Sequence, residues 1–253
     1  MSSRQRYSDY DDFAWLYDRH WADQFTPTAL AVLKDRVLPK VARGASVLDL
    51  CCGTGQLARE LTDLGYSVTG VDGSEEMLSY ARKNAPSAHF ILDDARTFKL
   101  KAACDLVASV FDSLNHVMTV VELSRVFRNV HDCLKPGGLF LFDMNTEAGF
   151  LANWHGYHAF IEDDHVGIFP NSYDASTKVA RFEMTLFRLK DGSWNRSDFE
   201  LTERCYPTDE LVSVLQSVGL TGVHTFSFDR QSGFGPLGPQ STRAFFLCER
   251  GQD

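Results

Sequence analysis

From Val47 to Ala58 the chain reads Val-Leu-Asp-Leu-Cys-Cys-Gly-Thr-Gly-Gln-Leu-Ala. Gly53 and Gly55 let a backbone turn tightly and approach a ligand closely. Gly53 to Ala58 fits G-x-G-x-x-A, and Asp72 closes the next apolar run, where a carboxylate can accept from both hydroxyls of a ribose. That pattern suits a dinucleotide as well, with its pyrophosphate on the following helix N-terminus, and so predicts an NAD(P)-dependent oxidoreductase as the competing chemistry. Asp49, four residues before Gly53, weighs against phosphates there. A carboxylate at that mouth suits a sulfonium and an ammonium group better. The chain also lacks the Tyr-x-x-x-Lys pair of one hydride-transfer design. Farther on, Phe111-Asp112-Ser113-Leu114-Asn115-His116 carries a histidine able to act as a base near neutral pH.

These residues need elements to hold them. Apolar runs alternate with amphipathic stretches between Ala45 and Asp143. Strands are predicted over Val47–Cys51, Ser67–Asp72, His89–Leu92, Asp105–Val110 and Leu139–Asp143. Helices are predicted over Gln56–Leu64, from an N-capping Ser74, and over Val120–Leu134, the last stopped by Lys135-Pro136-Gly137-Gly138. This alternation implies parallel strands joined by right-handed crossovers, an α/β doubly wound sheet. Ligands then bind beyond the carboxyl ends of the strands, where Asp49, Asp72 and His116 fall.

The pattern changes from about Tyr157 to Tyr206, where strand-like runs surround an Asp191-Gly192 turn signal. We expect an antiparallel β insertion over residues 157–206, Phe182, Met184 and Leu186 buried on one face and Arg181 and Glu183 on the other. It would act as a lid and carry the acceptor site; exposed hairpins could instead pair two copies into a homodimer. Glu203, Arg204 and Tyr206 at its end could face the acceptor. A helix over Pro207–Val218 and strands over Gly222–Phe228 and Ala244–Glu249, joined by a Ser232–Pro239 loop, complete a single domain over residues 1–253. Residues 1–40 form an N-terminal helical cap.

Five motifs in order resemble class I S-adenosylmethionine-dependent methyltransferases. They are the Val47–Gly55 turn, Gly70-Val71-Asp72-Gly73-Ser74-x-x-Met77, Asp93-Asp94-Ala95, Asp105-Leu106-Val107 through Asn115-His116, and Leu134-Lys135-Pro136-Gly137-Gly138. The Asp12–Asp18 and Phe111–His116 stretches are most similar to small-molecule N-methyltransferases, including amino-sugar N,N-dimethyltransferases. The resemblance implies a Rossmann-like methyltransferase fold with a mostly parallel seven-stranded sheet and S-adenosylmethionine as cofactor. It implies that Gly53 and Gly55 meet the methionine part, with Asp49 orienting the turn and favouring the amino group. Asp72 and the adjoining Gly73 would hold the ribose and Met77 pack on the adenine. The Asp94 carboxylate and Ala95 amide would read the adenine edge, and the Val110 carbonyl would lie near the amino group or methyl. His116 is the candidate base, and Tyr17 would close the site or touch the acceptor.

A net charge of −9 disfavours nucleic acid, so a small-molecule acceptor is expected, an amine or a hydroxyl. A non-catalytic S-adenosylmethionine-binding regulatory protein is the other class compatible with these motifs. No apolar stretch has membrane-span length, and the polar N-terminus lacks an apolar signal core, so no membrane partner is expected. The six cysteines form no C-x-x-C pair and the histidines lack ligand spacing, which predicts no metal site and reduced thiols in a cytoplasmic protein.

Overall fold

Parallel strands buried on both faces read as continuous apolar runs, and here they build the centre of the molecule. A computed structural model describes residues 10–100 and 103–252; residues 1–9, part of the expected helical cap, lie outside the described residues. The chain runs α1 (Ala14–His20), α2 (Ala22–Arg36), β1 (Ser46–Leu50), α3 (Gln56–Asp63), β2 (Ser67–Asp72), α4 (Glu75–Asn84), β3 (His89–Leu92) and β4 (Cys104–Ser109). It continues through α5 (Val120–Cys133), β5 (Leu134–Asn145), α6 (Glu147–Asn153), β6 (Tyr157–Ile161), β7 (His165–Asp174), β8 (Val179–Lys190) and β9 (Ser193–Arg204). The last elements are α7 (Thr208–Ser217), β10 (Leu220–Asp229), β11 (Gly233–Pro236) and β12 (Arg243–Arg250).

The main sheet has the order β11-β10-β12-β5-β4-β1-β2-β3. Strands β1 to β5 pair in parallel, β12 pairs antiparallel to β5, and β10 antiparallel to β12. Alternate residues face opposite sides. Leu48, Val107, Phe140 and Phe142 pack with α5 and α7, whereas Val47, Leu106, Leu141 and Phe245 pack with α2 and α3. No helix among the described residues is long and apolar enough to cross a membrane.

Two local readings differ from expectation. The Lys135–Gly138 segment lies inside β5, because a register shift opposite Cys104 and Leu106 and a positive φ at Gly137 absorb the turn. The Ser232–Pro239 loop contains β11, an eighth strand. Phe234 draws it in, its ring 4.6 Å from that of Phe228 and 4.2 Å from the Arg36 guanidinium.

A separate four-stranded antiparallel sheet, β6-β7-β8-β9, follows β5. Asp191 and Gly192, with φ of 50° and 76°, make the two-residue turn between β8 and β9. Positive φ at both positions matches the right-handed strand twist. Met184 and Leu186 are buried with Phe182 beside them, against Phe13 and Leu16 of the N-terminal segment and Met77 of α4. The N-terminal segment is thus held between α4 and the second sheet. Asp11 accepts from Ser74 Oγ at 2.6 Å, and Asp18 accepts from Asn84 Nδ2 at 2.8 Å.

Candidate active site

Beyond β1 the backbone reverses through Cys51, Gly53 and Gly55, with φ of 60°, 53° and 85°. Asp72, at the end of the neighbouring β2, pins this turn. Its Oδ2 accepts from Gly53 N–H at 2.8 Å and its Oδ1 from Ser74 N–H at 2.9 Å. Burial pushes the Asp72 carboxyl up to about 6, against the pull of those N–H donors. A carboxylate has about four acceptor positions, so capacity remains on the face toward the adjoining cavity.

The two glycines do different work. A Cβ on Gly53 would meet only the Tyr17 ring at 3.6 Å, so this is where the turn borders open space. A Cβ on Gly55 would come within 2.9 Å of the Ala81 backbone, so Gly55 lets α3 and α4 pack closely and does not line the cavity. Asp49 is likewise behind the cavity wall, 2% exposed. Its carboxyl accepts from the Ala58 N–H in the first turn of α3, and its Oδ2 is buried without a partner. Burial and the Asp72 charge push it up to about 7. Asp49 thus ties the end of β1 to the first turn of α3 and keeps unmet acceptor capacity.

A cavity of about 370 Å³ opens beside this turn. Gly53, Asp72, Gly73, Met77, Ala95, His116 and Tyr17 are among the residues that line it. Ser74 caps α4 by accepting from Met77 N–H at 3.0 Å, which fixes Met77 toward the cavity. Asp94 borders the cavity too, but Arg96 grips its carboxylate, with Nε 2.9 Å from Oδ1 and Nη1 extending to Glu122 at 3.0 Å. Desolvation raises the Asp94 pKa, but the Arg96 hydrogen bonds outweigh it and hold the carboxyl below its ordinary value. The Val110 carbonyl accepts from Ser113 Oγ at 2.8 Å, and Val110 does not line the cavity; the next residue, Phe111, does.

Phe111 and Asp112 hold φ of 62° and 50°, a costly region for side-chain-bearing residues. Asp143, at the end of β5, stabilises it: its carboxylate accepts from Phe111 N–H at 2.7 Å and Asp112 N–H at 3.1 Å. Arg243, opening β12, pairs with both Asp143 and Asp112, the latter at 2.7 Å. This turn divides the first cavity from a second of about 280 Å³. Tyr10, Tyr17, Phe111, His116 and Leu201 border both. The second has aromatic walls, including Phe13, Trp21, Trp154, Phe169 and Phe182, and a polar end of Asp112, Asn145, Glu203 and Arg243.

His116 stands where the cavities meet. Its Nδ1 is 2.8 Å from the Thr202 carbonyl, which can only accept, so Nδ1 carries the proton. Nε2 is then the acceptor, 2.7 Å from the Tyr10 hydroxyl. Burial pushes the imidazole below its ordinary pKa, favouring the neutral ring. Of the three residues ending the insertion, Glu203 lines the second cavity. Arg204 instead reaches the Met118 carbonyl at 3.3 Å, and Tyr206 donates to the Val117 carbonyl.

A family profile described as "Methyltransferase domain" matches residues 47–138. A Bacillus subtilis protein, whose own description as a methyltransferase is provisional, is 28% identical over 252 residues, 95% of this chain and 97% of its own length. The chain is a class I S-adenosylmethionine-dependent methyltransferase. A dTDP-3-amino-3,4,6-trideoxy-alpha-D-glucopyranose N,N-dimethyltransferase of Streptomyces venezuelae is 32% identical over 111 residues, 44% of this chain and 47% of that one. A crystal structure of an S-adenosylmethionine-dependent methyltransferase from Clostridium acetobutylicum shares the fold of the methyltransferase, with a TM-score of 0.78, 23% identity and coverage of 96% and 100%.

The first cavity fits the cofactor of this methyltransferase. It has the volume of a small-molecule site, an acid with spare acceptor positions beside a glycine turn, and an apolar slot formed by Met77 and Ala95. The orphaned Asp49 carboxyl behind the turn is an acid whose ionised form a cationic ligand would favour. Tyr10, Asp112, Asp143, Asn145, Asn171 and Arg243 were given no functional role from the sequence. Asp112 lies inside the Phe111–His116 stretch, which drew attention for its histidine alone, and no local motif marks the others, which come from the N-terminal segment, β5, β7 and β12.

Proposed function

We propose that the methyltransferase methylates an amine nitrogen of a small molecule seated in the second cavity. The observation that carries this reading is the junction: a cofactor-sized cavity meets an aromatic-walled one whose buried end holds more carboxyls than cations, with an unprotonated His116 nitrogen between them. The partial similarity to an N,N-dimethyltransferase supports it.

Asp72 and Gly73 would hold the ribose, with Gly53 and the Asp49-oriented turn at the methionine end. Met77, Ala95 and the Asp94 turn would flank the adenine. When bound, the cofactor supplies an electrophilic methyl group on a sulfonium. The chain's own task is then alignment, exclusion of water and removal of a proton from the nitrogen. The second sheet and α1 roof the junction and exclude water, and residues 157–206 would thereby select the acceptor. A proton leaving the nitrogen would pass to His116 Nε2, directly or through the Tyr10 oxygen. Glu203 Oε1, 3.8 Å from Nε2, would steady the imidazolium.

The test is methyl transfer from labelled S-adenosylmethionine to panels of amines, amino sugars, amino acids and phenols. Label should enter amines. Label entering phenols while every amine stays unlabelled overturns the amine reading.

A further inference from the structure

The polar end of the second cavity has an unusual charge balance. Three carboxyl groups, Asp112, Asp143 and Glu203, are 8%, 0% and 3% exposed and face one guanidinium, Arg243. Asp143 is committed to two backbone N–H groups and Arg243. Asp112 takes the other Arg243 contact, although no N–H is aimed along it and its Oδ1 accepts no hydrogen bond. Among the described residues Glu203 receives only the Asn145 amide, at 3.0 Å, and it lies against Asp112. His116, Tyr10 and Tyr17, the other titratable groups lining this cavity among the described residues, are a neutral imidazole and two phenols.

Two uncompensated buried negative charges are costly, so a proton resides on this cluster in the free protein. Glu203 is its seat, because it has the fewest donors. Burial and the Asp112 charge raise its pKa well above the ordinary value.

Two independent features point to what displaces that proton. The cavity walls are π faces, and the Arg243 guanidinium already rests 4.5 Å from the Phe25 ring and 6.0 Å from that of Phe111. Aromatic faces stabilise cations, substituted ammonium groups above all. Asn171 Oδ1, on the cavity wall, is fully buried and lacks a partner, an acceptor for the polarised groups of such a ligand.

We infer that the second cavity is a seat for a substituted ammonium group, and that Glu203 releases its proton to solvent when the cation enters. The acceptor would arrive charged, held between the aromatic walls and the Glu203–Asp112 pair, before its own proton passes to His116. Neutral molecules of the same shape would replace no charge and leave the proton on Glu203. The inference rests on reading this cavity as the acceptor side of the site.

The experiment titrates tetramethylammonium chloride into the full chain with S-adenosylhomocysteine present, by calorimetry in two buffers of different ionisation enthalpy. Tetramethylammonium has no proton of its own, so any proton released comes from the protein. Saturable binding with release of close to one proton is expected. Glu203→Gln keeps the Asn145 contact; it should abolish the release and weaken binding about tenfold or more, since a nearby buried charge is lost. tert-Butanol, the neutral analogue, should bind at least about tenfold more weakly. Unchanged S-adenosylhomocysteine affinity shows that the variant is folded. Should it not fold, wild-type affinity for tetramethylammonium must still rise with increasing pH while that for tert-butanol stays flat. No saturable binding, equal binding of tert-butanol, a flat wild-type pH profile, or undiminished proton release in Glu203→Gln overturns the inference. Binding without amine turnover overturns the proposed reaction instead, and amine turnover without binding overturns only the ammonium seat.

Discussion

Asp49 offers the most direct test of how the glycine turn works. Its carboxyl is fully buried, one oxygen is unpartnered, and its pKa rises from 3.8 to about 7. The folded protein therefore holds a proton here that the unfolded chain has already lost at mild acidity. The raised folded value gives the sign: this stability is fully present below about pH 4 and is lost as pH rises through 7. A shift of about three units is worth about 4 kcal/mol at 1.36 kcal/mol per unit. Of this, roughly 2–3 kcal/mol falls between about pH 5 and 8. Asp49→Asn cannot ionise. At about pH 5 the variant should be less stable than the wild type by about 1–3 kcal/mol, because its amide adds a second N–H where no acceptor waits, and the gap should close toward about pH 8. The diagnostic is the slope: urea unfolding of the cofactor-free protein should lose that 2–3 kcal/mol in the wild type and not in the variant. S-adenosylmethionine, whose positive groups favour the ionised acid, should flatten the wild-type profile. Parallel profiles for wild type and variant would show that Asp49 is not protonated in the free site and would refute the electrostatic account of the turn.

Further expectations follow from the same geometry. Asp72→Ala removes two acceptors from backbone N–H groups and the proposed ribose contact, so S-adenosylhomocysteine affinity should fall about tenfold or more; calorimetry reads it, and an unchanged constant removes Asp72 from the site. His116→Ala should lower kcat about 10²-fold or more on an amine acceptor and leave S-adenosylhomocysteine affinity within a few-fold, whereas wild-type turnover would return His116 to a structural role. Gly55→Ala places a methyl 2.9 Å from the Ala81 backbone at φ +85°. It should cost at least about 2 kcal/mol in urea unfolding, and an unaltered midpoint would show that the α3–α4 contact is looser than described.

Much of this molecule was legible locally. The five parallel strands follow from apolar runs of strand length, the N-cap of α4 from Ser74, and the β8–β9 turn from Asp191-Gly192, because periodicity and φ preference act over a few residues. The glycine turn, Asp72 and Met77 were legible for the same reason: a turn at the carboxyl end of a buried strand has few conformations. What the side chains face was not local. Gly55 looked like a ligand-approach glycine and packs against Ala81, because an empty Cβ position serves a helix as well as a cofactor. Asp94 looked free to read a base and is gripped by Arg96, two residues on, a pairing that depends on the turn they share. The second cavity is wholly a product of tertiary structure. Tyr10, Asp112, Glu203 and Arg243 are far apart along the chain and meet only when the antiparallel sheet folds over the strand ends. The chain alone determined that a tight glycine turn follows β1 and which residues build it. The packing of the N-terminal segment and second sheet over that turn decided the charge and the walls of the second cavity and the tautomer of His116, because burial and mutual distance set those properties and neither is written in local pattern.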